Sequence, residues 1–114
     1  MTDRGRWIWL DDKRREPVGW ERATTAVECV AMLARGGVDV VDLDHDLRPE
    51  HYAGVWSVGG TGYDVALWIR RQAESGRWDL VPKDLRCHSL SDWGRKRILA
   101  AFAEIKKMRK EAGK

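Results

Sequence analysis

Phenylalanine is nearly absent from this 114-residue chain: one Phe and two Tyr stand against seven Trp. A core filled by stacked phenylalanines is thereby excluded. The tryptophans carry large apolar area together with an indole donor, so several are expected at the core margin or on a cleft wall. Cysteine is also scarce. Cys29 falls in a helical pattern and Cys87 in a strand pattern, and no C-x-x-C or Cys/His spacing is present, which argues against a disulfide framework and a zinc site. Both read as small core residues in a reducing compartment. No apolar run approaches membrane-spanning length, and the opening MTDRGRW lacks the apolar stretch of a signal peptide. The expectation is a soluble, cytoplasmic protein with no membrane partner.

Hydrophobic residues at 43% and charged residues at 34% describe an ordinary globular composition, and the length predicts a single domain over 1–114 with one modest core. The net charge of +3 is unevenly spread. Eight Lys or Arg against two Glu from Arg95 to Lys114 give that end +6, which leaves −3 on residues 1–94. The basic end of the last helix, about 104–114, reads first as a solvated face and second as a phosphate-backbone footprint.

Along the chain, RWIWL (6–10) is a strand that ends in the polar, Pro- and Gly-containing DDKRREPVG, and a brief extended piece near Trp20 to Ala23 follows. TTAVECVAMLARGG reads as a helix with a Thr25–Glu28 capping box, an apolar stripe of Val27, Val30, Ala31 and Ala34, and a stop at Gly36–Gly37. VDVVDLD (38–44) is a strand, 48–62 a long loop, and TGYDVALWIRRQAESG a helix with Val65, Trp68 and Ile69 inward. DLRCHSL (84–90) is a further strand. Ser91 then caps a long helix in which Ile98, Ala101, Phe102, Ile105 and Met108 recur at helical spacing. Strands alternating with helices predict an α/β three-layer sandwich: a small, mostly parallel four-stranded sheet flanked by three helices. The second strand, reached without a helix, is expected at an edge.

In open parallel sheets ligands bind beyond the carboxyl ends of the strands, and three polar clusters fall there: Asp11–Asp12, Asp44–His45–Asp46 and Cys87–His88–Ser89. Carboxylates gathered on one rim raise one another's pKa unless a cation neutralises them. An oxygen-only cradle of Asp11, Asp12 and Asp44, with Asp46 nearby, suits Mg²⁺ or another hard divalent cation. Taken singly, Asp12 and Asp46 suit loop capping or pairing with Arg14, Arg15 or Arg48 equally well. An imidazole is suited to acid and base roles in neutral solution, which makes His45 and His88 candidates, although a lone histidine at a strand end is commonly a structural hydrogen-bonder. The start of the last helix, with Ser89 and Arg95, is an anion site by its dipole, and Arg14 lies beside the first acidic pair. GGTGYD (59–64), with Gly62, could cradle phosphate or merely turn the chain. Trp56 and Tyr63 beside it could stack on a base or pack in a cleft wall.

WLDDKRREPVGW, DLDHDL, GTGYDVALWI and CHSLSDWGR together resemble the successive motifs of the cyclic-phosphate processing receiver domains, from about Trp9 to the middle of the last helix. Asp42 stands where such proteins have Ser, and SLSDWG replaces a Ser-Ala-Asn-Pro-type run. The resemblance implies a shortened receiver-like fold and a role on 2′,3′-cyclic phosphate ends of RNA or nucleotides. By position, Asp11, Asp12 and Asp44 match the metal-holding and phospho-accepting acids of ordinary receivers. The missing fifth strand and its lysine speak against phosphorelay. The expected function is metal-assisted phosphoester hydrolysis in which His45, His88 and Asp46 are catalytic and Ser89, Arg95, Arg14 and Gly62 bind a phosphorylated nucleotide or RNA end. The alternatives are a non-enzymatic receiver-like regulatory or nucleotide-binding module, and an RNA-binding module dominated by the basic helix.

Overall fold

β1 (Arg6–Leu10) is the strand predicted from RWIWL, and its alternation decides how the sheet is dressed. Ile8 and Leu10 are fully buried in the main core, while Trp7 and Trp9 point to the opposite face. The computed structural model of the protein describes residues 5–46 and 60–114. Its further elements are β2 (Glu21–Ala23), α1 (Ala26–Leu33), β3 (Val38–Leu43), α2 (Gly62–Glu74), a single 3₁₀ turn (Trp78–Leu80), β4 (Asp84–Cys87) and α3 (Asp92–Glu111).

The four strands form one sheet in the order β2-β1-β3-β4, every neighbouring pair parallel, with β2 at an edge as expected. This is the receiver-like α/β arrangement of four parallel strands and three helices. The crossovers from β2 to β3 and from β3 to β4 move the same way across the sheet, so crossovers of one hand carry α1 and α2 to one face. There α2 packs against both α1 and α3. Trp7 and Trp9 lie on the other face. The loop after β1 brings Trp20 edge-on to Trp7 and Trp9, with ring centroids 5.2 and 5.8 Å away.

The core joins Ile8, Leu10, Val41 and Leu43 of the sheet to Leu33, Val65, Ile69, Ile98, Phe102 and Ile105 of the helices. Phe102 is the largest of the fully buried side chains, and its loss to Ala would cost about 3–5 kcal/mol. The inward residues predicted for α2 and α3 hold, with Trp68 and Met108 partly buried against the core. Of the stripe expected on α1, only Val30 packs against the core. Ala26, Cys29 and Leu33 face the core, whereas Val27 is half exposed and Ala31 and Ala34 face solvent. Cys29 and Leu33 keep helical spacing one position off the expected register, and burial pushes the Cys29 thiol strongly up, as suits an inert core residue.

Thr25 accepts from the Glu28 N–H, but the Glu28 carboxylate reaches the backbone N–H of Thr24 instead of closing the box on Thr25. The reciprocal capping box lies at α2, between Thr61 and Asp64. Gly36 and Gly76 close α1 and α2 with positive φ, near 75°. No helix among the described residues is long and apolar enough to cross a membrane. Most of the loop 48–62, with Arg48, Trp56 and Gly59, lies outside the described residues.

Candidate metal and phosphate site

Where β1, β3 and β4 stop, strand parity sorts the polar residues into two sets. Asp11 continues the face of Trp9, Asp44 that of Asp42, and His88 that of Arg86. These three side chains meet: one ligand atom from each of Asp11, Asp44 and His88 lies within 4.8 Å of the others. Asp12, His45 and Ser89 have the other parity. All three are buried, and His45 sits against α3. Asp12 is not one of the three converging residues, so the cradle expected from three aspartates is drawn here from two aspartates and an imidazole.

Asp11 is the most heavily bonded member. Its Oδ1 accepts the backbone N–H groups of Lys13 and Arg14 at 2.8 and 2.9 Å. Its Oδ2 accepts from Arg14 Nε at 3.0 Å and lies 2.9 Å from His88 Nε2. Burial alone would raise this carboxyl, but those amides, the His88 ring and the Arg14 charge hold it below the usual carboxylate range. Arg14 also donates to the His88 carbonyl at 3.1 Å, tying the first loop to the last.

The second ring nitrogen of His88, Nδ1, lies 2.7 Å from Asp42 Oδ1. Burial works against charge on the ring, yet hydrogen bonds to Asp42 and Asp11 outweigh it and raise the His88 pKa. Protonated on both nitrogens, His88 donates to two carboxylates at once, so the positive group among the acids is built into the chain. Trp9 supports it with a parallel stack, centroids 3.8 Å apart. Asp42, the departure from Ser, is thus the orienting carboxylate of His88. Parity could have revealed this pairing, because it places Trp9, Asp42 and His88 on one face.

Asp44 is the acid left in deficit. It accepts the N–H of His45 at 2.9 Å, but burial and then the Asp11 charge push its pKa up. An ionised Asp44 lacks the compensation that Asp11 enjoys, and a bound cation would supply it.

On the other side of the rim His45 is clamped. Its Nδ1 meets Asp46 Oδ1 at 2.7 Å, its ring meets Trp93 edge-on at 5.5 Å, and its buried Nε2 has no hydrogen-bond partner among the described residues. Gly94 makes this packing possible, since a Cβ there would run into the ring. Gly62 is equally constrained: its N–H donates to the His45 carbonyl at 3.2 Å, and a Cβ would collide with the Asp44 carbonyl. Its backbone is therefore engaged by the β3 loop. Arg95, on the exposed first turn of α3, pairs with Asp92 at 3.3 Å, and the Ser89 hydroxyl accepts from the Ser91 N–H at 3.2 Å. Tyr63 packs against the core under Arg97.

A parallel receiver-like sheet with buried acids and an imidazole at its carboxyl edge belongs to the class of open α/β domains that bind ligands at that edge. Residues 6–104 match the family described as the cyclic-phosphate processing receiver domain, and the chain belongs to that family. No curated protein and no solved structure was found to match it.

Proposed function

We propose that the domain hydrolyses the 2′,3′-cyclic phosphate of an RNA end or nucleotide, using a divalent cation held by Asp11, Asp44 and His88. The observation that carries this reading is the convergence of those three ligand atoms within 4.8 Å, in a member of a family described by cyclic-phosphate processing. The donors suit a cation: two buried carboxylates, one of them uncompensated, and an imidazole that, on giving up the proton it shares with Asp11, would offer Nε2 while Asp42 holds Nδ1. Mg²⁺ matches the carboxylates, and the imidazole extends the choice to Mn²⁺ and similar ions. When bound, the cation would neutralise the acids and draw charge from a phosphoryl oxygen.

The chain supplies the rest. In the reaction a water oxygen bonds to phosphorus, the P–O bond to one ribose oxygen breaks, and a proton passes from the water to that oxygen. His45 carries the proton on Nε2, while Asp46 holds Nδ1 and fixes the tautomer. Arg14, Arg95 and the Ser89 hydroxyl offer charge and hydrogen bonds to the phosphate. The test is hydrolysis of 2′,3′-cyclic AMP with Mg²⁺ or Mn²⁺ and with chelator, in wild type, His45→Ala and His88→Ala. Metal-dependent turnover that falls about 100-fold or more in each variant supports the reading. Absent or variant-independent hydrolysis overturns it.

A second reading, a non-enzymatic receiver-like module, rests on one observation: both His88 nitrogens are already engaged by carboxylates. It predicts cation binding without turnover, and beryllofluoride stabilisation that depends on Asp44.

A further inference from the structure

Of the large hydrophobic residues left exposed, Leu90 and Trp93 belong to the segment that leaves the carboxyl end of β4, the edge that carries the acids, while Val18, Val27 and Leu99 lie on other segments. Trp93 is 64% exposed and Leu90 88%. Exposing an indole ring in water forgoes a large apolar burial, so a Trp held open beside a reactive site asks for an occupant.

Trp93 is also held still. The Arg97 guanidinium lies 4.4 Å from its ring centroid and 3.9 Å from that of Tyr63, a cation between two rings that joins the first turns of α2 and α3. The His45 ring meets Trp93 at 5.5 Å and 80°. The backbone N–H of His45 in turn donates to Asp44 Oδ1. A line of contacts therefore runs from Asp44 through His45 to an open, braced aromatic surface.

We infer that Trp93, with Leu90 as a ledge, is the platform on which the base of a nucleotide stacks while its phosphate reaches the acidic edge. This rests on the reading of the domain as a cyclic phosphoesterase and gives the base of that substrate its own binding surface. A neutral planar base suits this surface. The carboxylates nearby repel a second anionic group, and stacking is tolerant of base identity because every base has a π face. Trp93 touches the substrate's base and not its reacting atoms, so its part is specificity.

The experiment measures, on the full chain, calorimetric binding of adenosine 3′-monophosphate and of the base-free methyl riboside 3-phosphate to wild type, Trp93→Ala and Trp93→Phe. Circular dichroism confirms that each variant is folded. Wild type should prefer the nucleotide by about tenfold or more. Trp93→Ala should lose most of that preference and Trp93→Phe should keep most of it. Equal binding of the two ligands by wild type, or the same loss for both in Trp93→Ala, overturns the platform, including the case where the exposed ring serves a protein partner. Parallel hydrolysis of 2′,3′-cyclic AMP and the base-free cyclic phosphate separates the two failures. Equal turnover of both compounds by wild type removes the platform and leaves the phosphoesterase, whereas no binding and no turnover of either removes both.

Discussion

Trp9 lies flat on His88, ring centroids 3.8 Å apart and planes within 2° of parallel, while the indole N–H donates to the Arg14 carbonyl at 3.1 Å. One side chain thus braces the imidazole and the loop whose amides hold Asp11. A face-on indole favours the protonated ring over the neutral one. In Trp9→Leu the His88 pKa should fall by about one unit, from about 1 kcal/mol of lost cation–π attraction. Histidine NMR titration reads this directly. An unchanged pKa would show the stack to be packing alone.

The pH dependence of stability follows from three shifted groups. His88 is raised in the folded state, so its contribution is complete below its unfolded value and is lost as pH rises through the folded value. Asp11 is lowered, so its contribution is present above the ordinary carboxylate range and is lost as pH falls through the depressed value. Asp44 is raised, so it favours the fold only while protonated and its ionised form costs stability near neutrality. Metal-free protein should therefore be most stable in mildly acidic solution, and urea midpoints measured across pH should fall as pH rises from the ordinary imidazole range through the His88 transition and level off above it. His88→Gln should abolish that fall. A flat profile in wild type would contradict the pairing.

Much of this site was legible before any coordinates. Sequence places all three polar clusters at strand ends, and the fold brings Asp11, Asp44 and His88 together there. What sequence reasoning did not resolve was their division. Asp12 and His45 stand one residue from Asp11 and Asp44, and only the parity of the strand decides which face each enters. On α1 the error had a similar root. Val27 and Ala31 are as apolar as Ala26 and Cys29, and tertiary packing chose the stripe that includes Leu33. Trp93 is not legible in the sequence, because one exposed aromatic at a helix start carries no local signal apart from the Arg97, Tyr63 and His45 side chains that the fold gathers around it.

Two glycines separate stability from function. A Cβ at Gly62 meets the Asp44 carbonyl, which is backbone at the end of a buried strand, so Gly62→Ala should destabilise by about 1–3 kcal/mol. A Cβ at Gly94 meets the Cβ and ring of His45, which Asp46 and Trp93 hold in place. Gly94→Ala should therefore also destabilise, and because it displaces His45 it should lower turnover of 2′,3′-cyclic AMP further than Gly62→Ala does. Thermal unfolding and kinetics on the same samples decide it. Equal losses in both variants would mean that His45 is held by something other than the space Gly94 leaves.

Orienting carboxylates behind a ligating histidine usually matter nearly as much as the ligand itself. Asp42→Asn keeps the shape but weakens the hold on His88 Nδ1, so Mn²⁺ affinity measured by calorimetry should drop about 10–100-fold. Asp84→Asn, at the start of β4 and paired with Arg86 on the surface, should leave it unchanged. If both variants bind Mn²⁺ as wild type does, His88 is not a ligand.

Asp44 offers the sharpest separation between a cation site and a merely acidic one. Its carboxylate is buried beside Asp11, and the His88 charge, the His45 amide and the Arg14 charge together do not offset this, so neutralising it should help the metal-free fold. Asp44→Asn should stabilise the protein by about 1 kcal/mol in chelator near neutral pH. The same change removes a ligand, so Mn²⁺ at about 100 times its Kd, which should raise the wild-type Tm by about 10 °C, should do little for the variant. The two effects have opposite signs and cross as metal is added. A variant less stable than wild type in chelator would place Asp44 in a structural hydrogen-bond network, and an equal response to Mn²⁺ would put the cation elsewhere.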